Sequence, residues 1–189
     1  MSSSAGVITS AFLGQWPLLI ALCWVVSLYV YSRWLKRRLL VGNVVVSVAT
    51  GLAFIFGGSV VGTLDRSLIP ALFAFLINFA REIVKDVEDI EGDRKGKAHT
   101  LPIRYGVTYA KTFATIVLLV LIGLTLAASR WGYFVQRYLT AIVVVDVVLA
   151  ALIVSLWRSR TSTNLRWVSA GLKVAMLSGL AALYWGSVA

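Results

Sequence analysis

Apolar residues fill most of the chain in long runs, and short polar segments separate these runs. A membrane-spanning helix needs about 20 consecutive, mainly apolar residues. By that criterion the pattern predicts six spans, which run roughly over 11–32, 41–62, 67–88, 110–129, 137–157 and 167–187. The one long polar segment, from about Asp86 to Thr108, follows the third span. We therefore expect an all-α integral membrane protein, folded as a single membrane domain over residues 1–189.

The composition agrees with the hydropathy pattern and excludes several classes of site. The chain is 59% hydrophobic with a mean hydropathy of +0.86, whereas soluble domains are about 45–50% apolar. The net charge of +10 does not indicate nucleic-acid binding, because the basic residues lie at span ends and not along a soluble face. A single cysteine, Cys23, cannot form an internal disulfide, and a single histidine, His99, excludes a multi-histidine metal site.

Basic residues are unequally divided between the two sets of alternating connections. One set carries eleven Lys and Arg residues and the opposite set carries three. An excess of Lys and Arg marks the cytoplasmic side, so the polar segment that begins at Asp86 is expected to face the cytoplasm. With six spans, both termini would then lie on the outer side.

Acidic residues are concentrated in one short stretch. Six of the eight in the chain fall within twelve positions, namely Glu82, Asp86, Glu88, Asp89, Glu91 and Asp93. On a continuous helix, which turns about 100° per residue, four of them share one narrow face. These four are Glu82, Asp86, Asp89 and Asp93. Gly92 and Gly96 predict that the helix ends nearby, which would place Asp93 at the edge of a loop.

Four aligned carboxylates repel one another, and near lipid each ionised acid costs about 2.5–3.5 kcal/mol on insertion scales. A divalent cation would offset that repulsion, and a ligand set made only of oxygen suits Mg²⁺ or Ca²⁺. Mg²⁺ commonly binds one or two carboxylates together with substrate phosphates. The alternative is a solvated helix end whose charges interact with Arg81, Lys85 and Arg94.

Basic residues on the same side of the membrane offer a partner for phosphate. Lys36, Arg37 and Arg38 follow the first span, and Lys95, Lys97 and Arg104 follow the acids. Lysine and arginine beside a carboxylate-bound metal suit a diphosphate. Each of these residues, taken alone, is equally consistent with contact to anionic lipid headgroups.

Two motifs in this chain resemble those of the UbiA superfamily of intramembrane prenyltransferases. The segment Arg81-Glu-Ile-Val-Lys-Asp-Val-Glu-Asp-Ile-Glu-Gly-Asp-Arg94, followed by His99-Thr-Leu-Pro-Ile-Arg-Tyr-Gly106, is similar to the second aspartate-rich motif of that family. The segment Tyr29-Val-Tyr-Ser-Arg-Trp-Leu-Lys-Arg37, with Gly42-Asn43 after it, matches a family stretch that precedes the next helix. The first segment is most similar to that of archaeal digeranylgeranylglyceryl phosphate synthases.

The resemblance implies an activity and a set of site residues. It implies Mg²⁺-dependent transfer of a polyprenyl group, such as geranylgeranyl, from its diphosphate to a lipid acceptor such as geranylgeranylglyceryl phosphate. Prenylation of a quinone or tetrapyrrole precursor is the alternative. Asp86, Asp89 and Asp93 would be metal ligands, and Glu82 is added from its position on the same face. The residues expected to bind diphosphate or shape its site are Lys36, Asn43, Arg94 and Lys97.

The chain departs from the family pattern at its beginning. The family fold has nine spanning helices, of which the six predicted spans would be the last six, and its first aspartate-rich motif, similar to N-D-x-x-D-x-x-x-D, is absent here. Three interpretations remain open: a fragment, one part of a split enzyme completed by a second polypeptide, or an inactive homologue that acts as a partner subunit. A cation transporter is a further class, but its acids would be distributed through both halves of a repeat.

One acidic residue lies inside a predicted span. Asp146 sits near the middle of the fifth span, and Lys173 in the sixth could pair with it. An intramembrane acid is a functional candidate by default. Because the family motifs do not include this region, we expect a structural pair.

Overall fold

The structure is a computed structural model that describes residues 2–31, 39–130 and 136–187, and it is helical throughout these ranges apart from short connections. The described helices are α1 (Ser2–Leu13), α2 (Gln15–Val30), α3 (Val41–Val61), α4 (Leu64–Glu88), α5 (Ile90–Lys95), α6 (Leu101–Tyr105), α7 (Val107–Ala128), α8 (Gln136–Arg158) and α9 (Ser162–Ser187). This confirms the all-α prediction.

Five helices, α3, α4, α7, α8 and α9, are long and apolar enough to cross a membrane. They correspond to five of the predicted spans, and the chain is an integral membrane protein. The predicted first span, roughly 11–32, is interrupted near its start. Gly14, whose φ of +120° is open to glycine but not to other residues, separates α1 from α2. Helix α2 extends to Val30, and residues 32–38 lie outside the described ranges.

The chain divides into two compact units, residues 1–75 and 76–189, with the boundary inside α4. The expectation of a single membrane domain stays a prediction. In the first unit, α3 and the beginning of α4 approach closely at glycine positions. A Cβ atom on Gly58 would lie 2.5 Å from the Cβ and Oγ atoms of Ser67, and one on Gly51 would lie 2.9 Å from the carbonyl oxygen of Ala71. Small residues permit this close approach of two helix backbones.

In the second unit, α7, α8 and α9 each bury one stripe of residues and expose the opposite face. The buried stripes include Ala114, Leu118 and Leu121 on α7, Ile142, Leu149 and Leu156 on α8, and Val168, Leu172 and Ala175 on α9. The exposed faces are also apolar, with residues such as Leu119, Val144, Val147 and Leu177. Apolar residues on both faces are typical of helices surrounded by lipid.

The end of α4 packs against α7 in this second unit. Ile83 and Val84 are almost completely buried, and the Phe79 ring meets the Phe113 ring edge-on with centroids 6.1 Å apart. These contacts fix the residues that lead into the acidic segment, and so they position its carboxylates.

Candidate functional site

The acidic segment is a helix with one interruption. Helix α4 ends at Glu88, and the backbone of Asp89 leaves the helical region with φ −93° and ψ 11° before α5 begins. The hydrogen bonds continue across this point, because the Asp89 amide donates to the Lys85 carbonyl and the Asp93 amide donates to the Asp89 carbonyl, each at 2.9 Å. Gly96 follows the last residue of α5, as predicted. The prediction for Gly92 is wrong, since it lies within α5, and Asp93 lies in that helix and not on a loop edge.

A cavity of about 720 Å³ lies beside this segment, entirely within the second unit. Its acidic wall comes from the end of α4 and from α5. Its basic and hydroxyl-bearing wall comes from α7, the α8–α9 connection and the start of α9. The polar and charged residues that line it are Glu88, Asp89, Glu91, Asp93, Lys111, Ser159, Arg160, Thr161, Ser162 and Arg166. Its volume falls within the range of small-molecule sites, about 300–1,000 Å³.

The four predicted metal ligands are not gathered on one wall of this cavity. Asp89 and Asp93 line it, whereas Asp86 and Glu82 do not. Glu82 forms an ion pair with Arg81, which was the alternative role for that residue. The angle rule for a continuous helix no longer applies beyond Asp89, because the backbone there departs from helical geometry. Glu88 and Glu91, which are not among the four residues of the predicted face, also line the cavity.

Asp89 and Asp93 form a pair of neighbouring carboxylates. Burial raises the pKa of Asp93 above the usual aspartate range, and the negative charge of Asp89 raises it further. The nearby Thr100 hydroxyl and the charge of Lys85 act in the opposite direction with smaller effect. The Thr100 oxygen is buried and meets no partner at full hydrogen-bond geometry, so its help to the charged form is small. A cation at this position would therefore relieve an unfavourable interaction.

These carboxylates suit a metal that is also bound by water and substrate phosphate better than a metal enclosed by protein ligands alone. Over the described residues, no three His, Cys, Asp or Glu side chains converge as a metal-ligand group, so no cage made of protein ligands alone is formed. Mg²⁺ usually keeps several waters and uses one or two carboxylates together with substrate phosphates. A carboxylate pair that faces an open, charged cavity fits that second mode.

The opposite wall carries three basic side chains. Lys111 is 8% exposed, and its Nζ donates a hydrogen bond of 2.8 Å to the carbonyl oxygen of Ser159. The Arg166 Nε donates to Glu88 Oε1 at 3.2 Å, which links α9 to the end of α4. Acidic and basic walls in one cavity are the arrangement that a metal-bound phosphate group requires.

The structure describes three of the four residues predicted to bind diphosphate. Lys36 falls outside the described residues, and Asn43 is half-buried on α3 in the first unit. Arg94 lines a separate depression of about 330 Å³, and Lys97 is exposed with φ +52°. Neither lines the large cavity. Their role stays a prediction.

Three cavity residues were not predicted as site residues. Arg160 and Arg166 are among the eleven basic residues on the side predicted to be cytoplasmic, and that count predicts the same side of the membrane as the acids but no contact with them. Lys111 begins an apolar span and resembles a basic residue at a helix end. What distinguishes Lys111 is the burial of its Nζ against a residue 48 positions away. Sequence spacing does not predict that contact.

Asp146 has a different partner from the one expected. On α8 its carboxyl oxygens each lie 3.1 Å from the Thr125 hydroxyl on α7. The Tyr138 hydroxyl donates to the Thr125 carbonyl at 3.0 Å. Lys173 is exposed and forms no ion pair within the described ranges. The prediction of a pair with Lys173 is therefore wrong, and Asp146 instead joins two packed helices.

Known proteins resemble this chain over nearly its whole length. A digeranylgeranylglyceryl phosphate synthase from Methanosphaera stadtmanae is 32% identical over 171 residues, which is 90% of this chain and 62% of that protein. One from Methanothermobacter thermautotrophicus is 37% identical over 161 residues, 85% of this chain and 57% of that protein. A solved structure described by the words "Digeranylgeranylglyceryl phosphate synthase in membranes" superposes with a TM-score of 0.86 at 30% identity, over 98% of this chain and 66% of that one.

These coverages show that the chain spans about six tenths of the length of the curated relatives it matches. The match to the UbiA prenyltransferase family covers residues 1–181, which include both of the motifs described above and the whole of the cavity lining. By that match and by the superposition, the chain belongs to the UbiA prenyltransferase family.

Proposed function

We propose that this chain takes part in the transfer of a prenyl group, such as geranylgeranyl, from its diphosphate to a glyceryl phosphate lipid. The observation that carries the proposal is one cavity that is lined by Asp89 and Asp93 together with Lys111, Arg160 and Arg166. The names of its relatives support the acceptor class. A quinone or tetrapyrrole acceptor has no corresponding observation.

Asp89 and Asp93 would hold Mg²⁺ through their carboxylates, with Asp86 and Glu82 as further candidates one and two turns earlier. When bound, Mg²⁺ supplies positive charge that stabilises the departing diphosphate. Basic side chains and the apolar side chains of Val87, Ile90 and Leu165 complete the lining of the cavity.

The transfer balances as follows. The bond between the first carbon of the prenyl group and the diphosphate oxygen breaks, and its electron pair leaves with the diphosphate. The allylic cation that remains is attacked by the acceptor hydroxyl oxygen, which forms a new ether bond and releases its proton. The products are an ether lipid, inorganic diphosphate and one proton.

We propose that the acidic segment faces the cytoplasm, because the connections on its side carry eleven of the fourteen basic residues counted at span ends. Cysteine labelling from outside intact cells tests this. With Cys23→Ser as background, Lys95→Cys should be protected from an impermeant maleimide and Arg130→Cys should react. The reverse result would invert the topology.

Prenyl transfer is tested with purified protein, a radiolabelled prenyl diphosphate, a glyceryl phosphate lipid and Mg²⁺. Because the relatives are longer, the assay is run with the chain alone and again after co-expression with the part of the Methanosphaera protein that the chain does not match. Activity in either arm that needs Mg²⁺ and is lost in Asp89→Asn supports the proposal. No transfer in either arm would favour an inactive homologue or partner subunit.

A further inference from the structure

The basic wall of the cavity is not explained by neutralisation of the acids that face it. Of its three cations, Arg166 alone forms an ion pair there, with Glu88. Lys111 bonds to a backbone carbonyl, and across the ranges that the structure describes Arg160 has no ion pair or hydrogen bond. Two cations in a cavity that contains four carboxylates thus remain unneutralised by them.

Lys111 is the most informative of these residues. It is more than nine-tenths buried, and burial of an ammonium group is unfavourable unless it is paired. Its Nζ carries three donors, and the bond to the Ser159 carbonyl uses one of them. The remaining donors belong to a side chain that lines the cavity, so an anion there would complete its bonding.

Hydroxyl groups beside these cations add donors of the kind that phosphate accepts. Thr161 Oγ1 accepts a hydrogen bond of 3.3 Å from the Asn164 amide at the start of α9, which leaves its O–H free to donate. Ser162 lines the same wall. Arginine presents a planar set of donors that matches phosphate oxygens, and Arg160 is the exposed arginine nearest in sequence to both hydroxyls.

We infer that Lys111, Arg160 and the Thr161–Ser162 hydroxyls form a subsite for the phosphate group of the lipid acceptor, in the same cavity as the carboxylates that would hold the metal. The inference rests on the proposed function for the identity of the acceptor. It adds a physical basis for acceptor choice, since a neutral ring or quinone precursor would leave these donors unpaired.

Three sources of phosphate are distinguished by binding measurements that need no turnover. The purified protein is titrated with a short-chain prenylglyceryl phosphate, with the same lipid lacking its phosphate, with a prenyl diphosphate plus Mg²⁺, and with dioleoyl phosphatidylglycerol. Arg160→Gln removes one charged donor from an exposed position, and Arg158→Gln makes the same change two residues away, outside the cavity lining.

We expect Arg160→Gln to weaken binding of the prenylglyceryl phosphate about tenfold, to leave the other three probes nearly unchanged, and to differ from Arg158→Gln, which should bind like the parent. Lys111→Gln should act in the same direction, with its fold checked by gel filtration and thermal unfolding. If Lys111→Gln does not fold, binding by Arg160→Gln alone tests the subsite.

The inference is overturned if Arg160→Gln weakens binding of the prenyl diphosphate as much as binding of the prenylglyceryl phosphate, because the basic wall would then bind the prenyl donor. Equal weakening of phosphatidylglycerol overturns it in favour of bilayer headgroups, and equal affinity for the lipid with and without phosphate overturns it altogether. A chain that shows the expected discrimination but transfers no prenyl group would keep the subsite and reject the proposed activity.

Discussion

A carboxylate pair should destabilise the protein without metal and bind Mg²⁺ when the ion is present. Replacement of Asp93 by asparagine separates these two effects. Asp93 lies one helical turn from Asp89, and both burial and the Asp89 charge raise its pKa. A raised pKa means that the folded state binds the proton more tightly than the unfolded state does. Stability therefore falls as pH rises from the ordinary aspartate value of about 3.9 through the raised pKa, and stays lower above it. Without metal at neutral pH, Asp93→Asn should be the more stable protein.

The two expected changes in the free energy of unfolding, without and with Mg²⁺, are modest and opposite in sign. Relief of one like-charge pair at i,i+4 is worth about 0.2–0.5 kcal/mol. At a Mg²⁺ concentration near 100 times Kd, the parent gains about 2.7 kcal/mol from binding. Loss of the carboxylate is taken to weaken Mg²⁺ binding about tenfold, which is the low end of the losses in metal affinity seen for residues around metal sites. The gain from binding then falls to about 1.4 kcal/mol. In a chain of this size the difference is about 3–5 °C of Mg²⁺-induced stabilisation.

Thermal unfolding in detergent, followed by the fluorescence of the seven tryptophans, measures both effects in a Mg²⁺ titration at constant ionic strength. Glu91→Gln is the matched control, since it removes one charge from the same short helix and the same cavity wall but lies outside the predicted ligand set. Asp93 is not a metal ligand if Mg²⁺ stabilises Asp93→Asn as much as the parent, or if Glu91→Gln loses the same stabilisation. Acidification should begin to weaken the parent's Mg²⁺ effect at a higher pH than it would if the pKa of Asp93 were not raised.

Two further predictions concern helix packing. Gly58→Ala should cost about 1–3 kcal/mol, because its Cβ would meet a side chain at 2.5 Å, whereas Gly57→Ala, with nothing within 4 Å, should be neutral or stabilising; equal melting temperatures would contradict this. Thr125→Val should cost about 0.6–1.7 kcal/mol through loss of its bond to Asp146, and Thr112→Val, an exposed threonine bonded to its own helix, should cost less. Equal losses in thermal or denaturant unfolding would show that the Asp146 contact stabilises nothing.

The sequence predicted the spans well because a membrane imposes a length on apolar runs. Helices α3, α4, α7, α8 and α9 follow that rule. It failed at Gly14, since one glycine in an apolar run does not reveal that its φ will be positive. The acids were found because their concentration is visible in the sequence. The basic wall was not, because Lys111 meets Ser159 only after α7 and α8 have packed.

The same packing bears on the two interpretations of the acidic segment. A solvated helix end predicts charges that are paired locally or fully exposed, and part of the segment is of that kind: Glu82 pairs with Arg81, and Glu91 is exposed. Asp93 is not, because it is partly buried beside Asp89 with a raised pKa, and in the described chain neither residue forms an ion pair. An unfavourable carboxylate pair at the edge of a cavity is typical of a functional site. A cation bound by this pair would relieve the repulsion and would also attract a phosphate group, which the basic side chains of the cavity can bind. The carboxylate pair, and not the run of six acids, is therefore the feature that points to function.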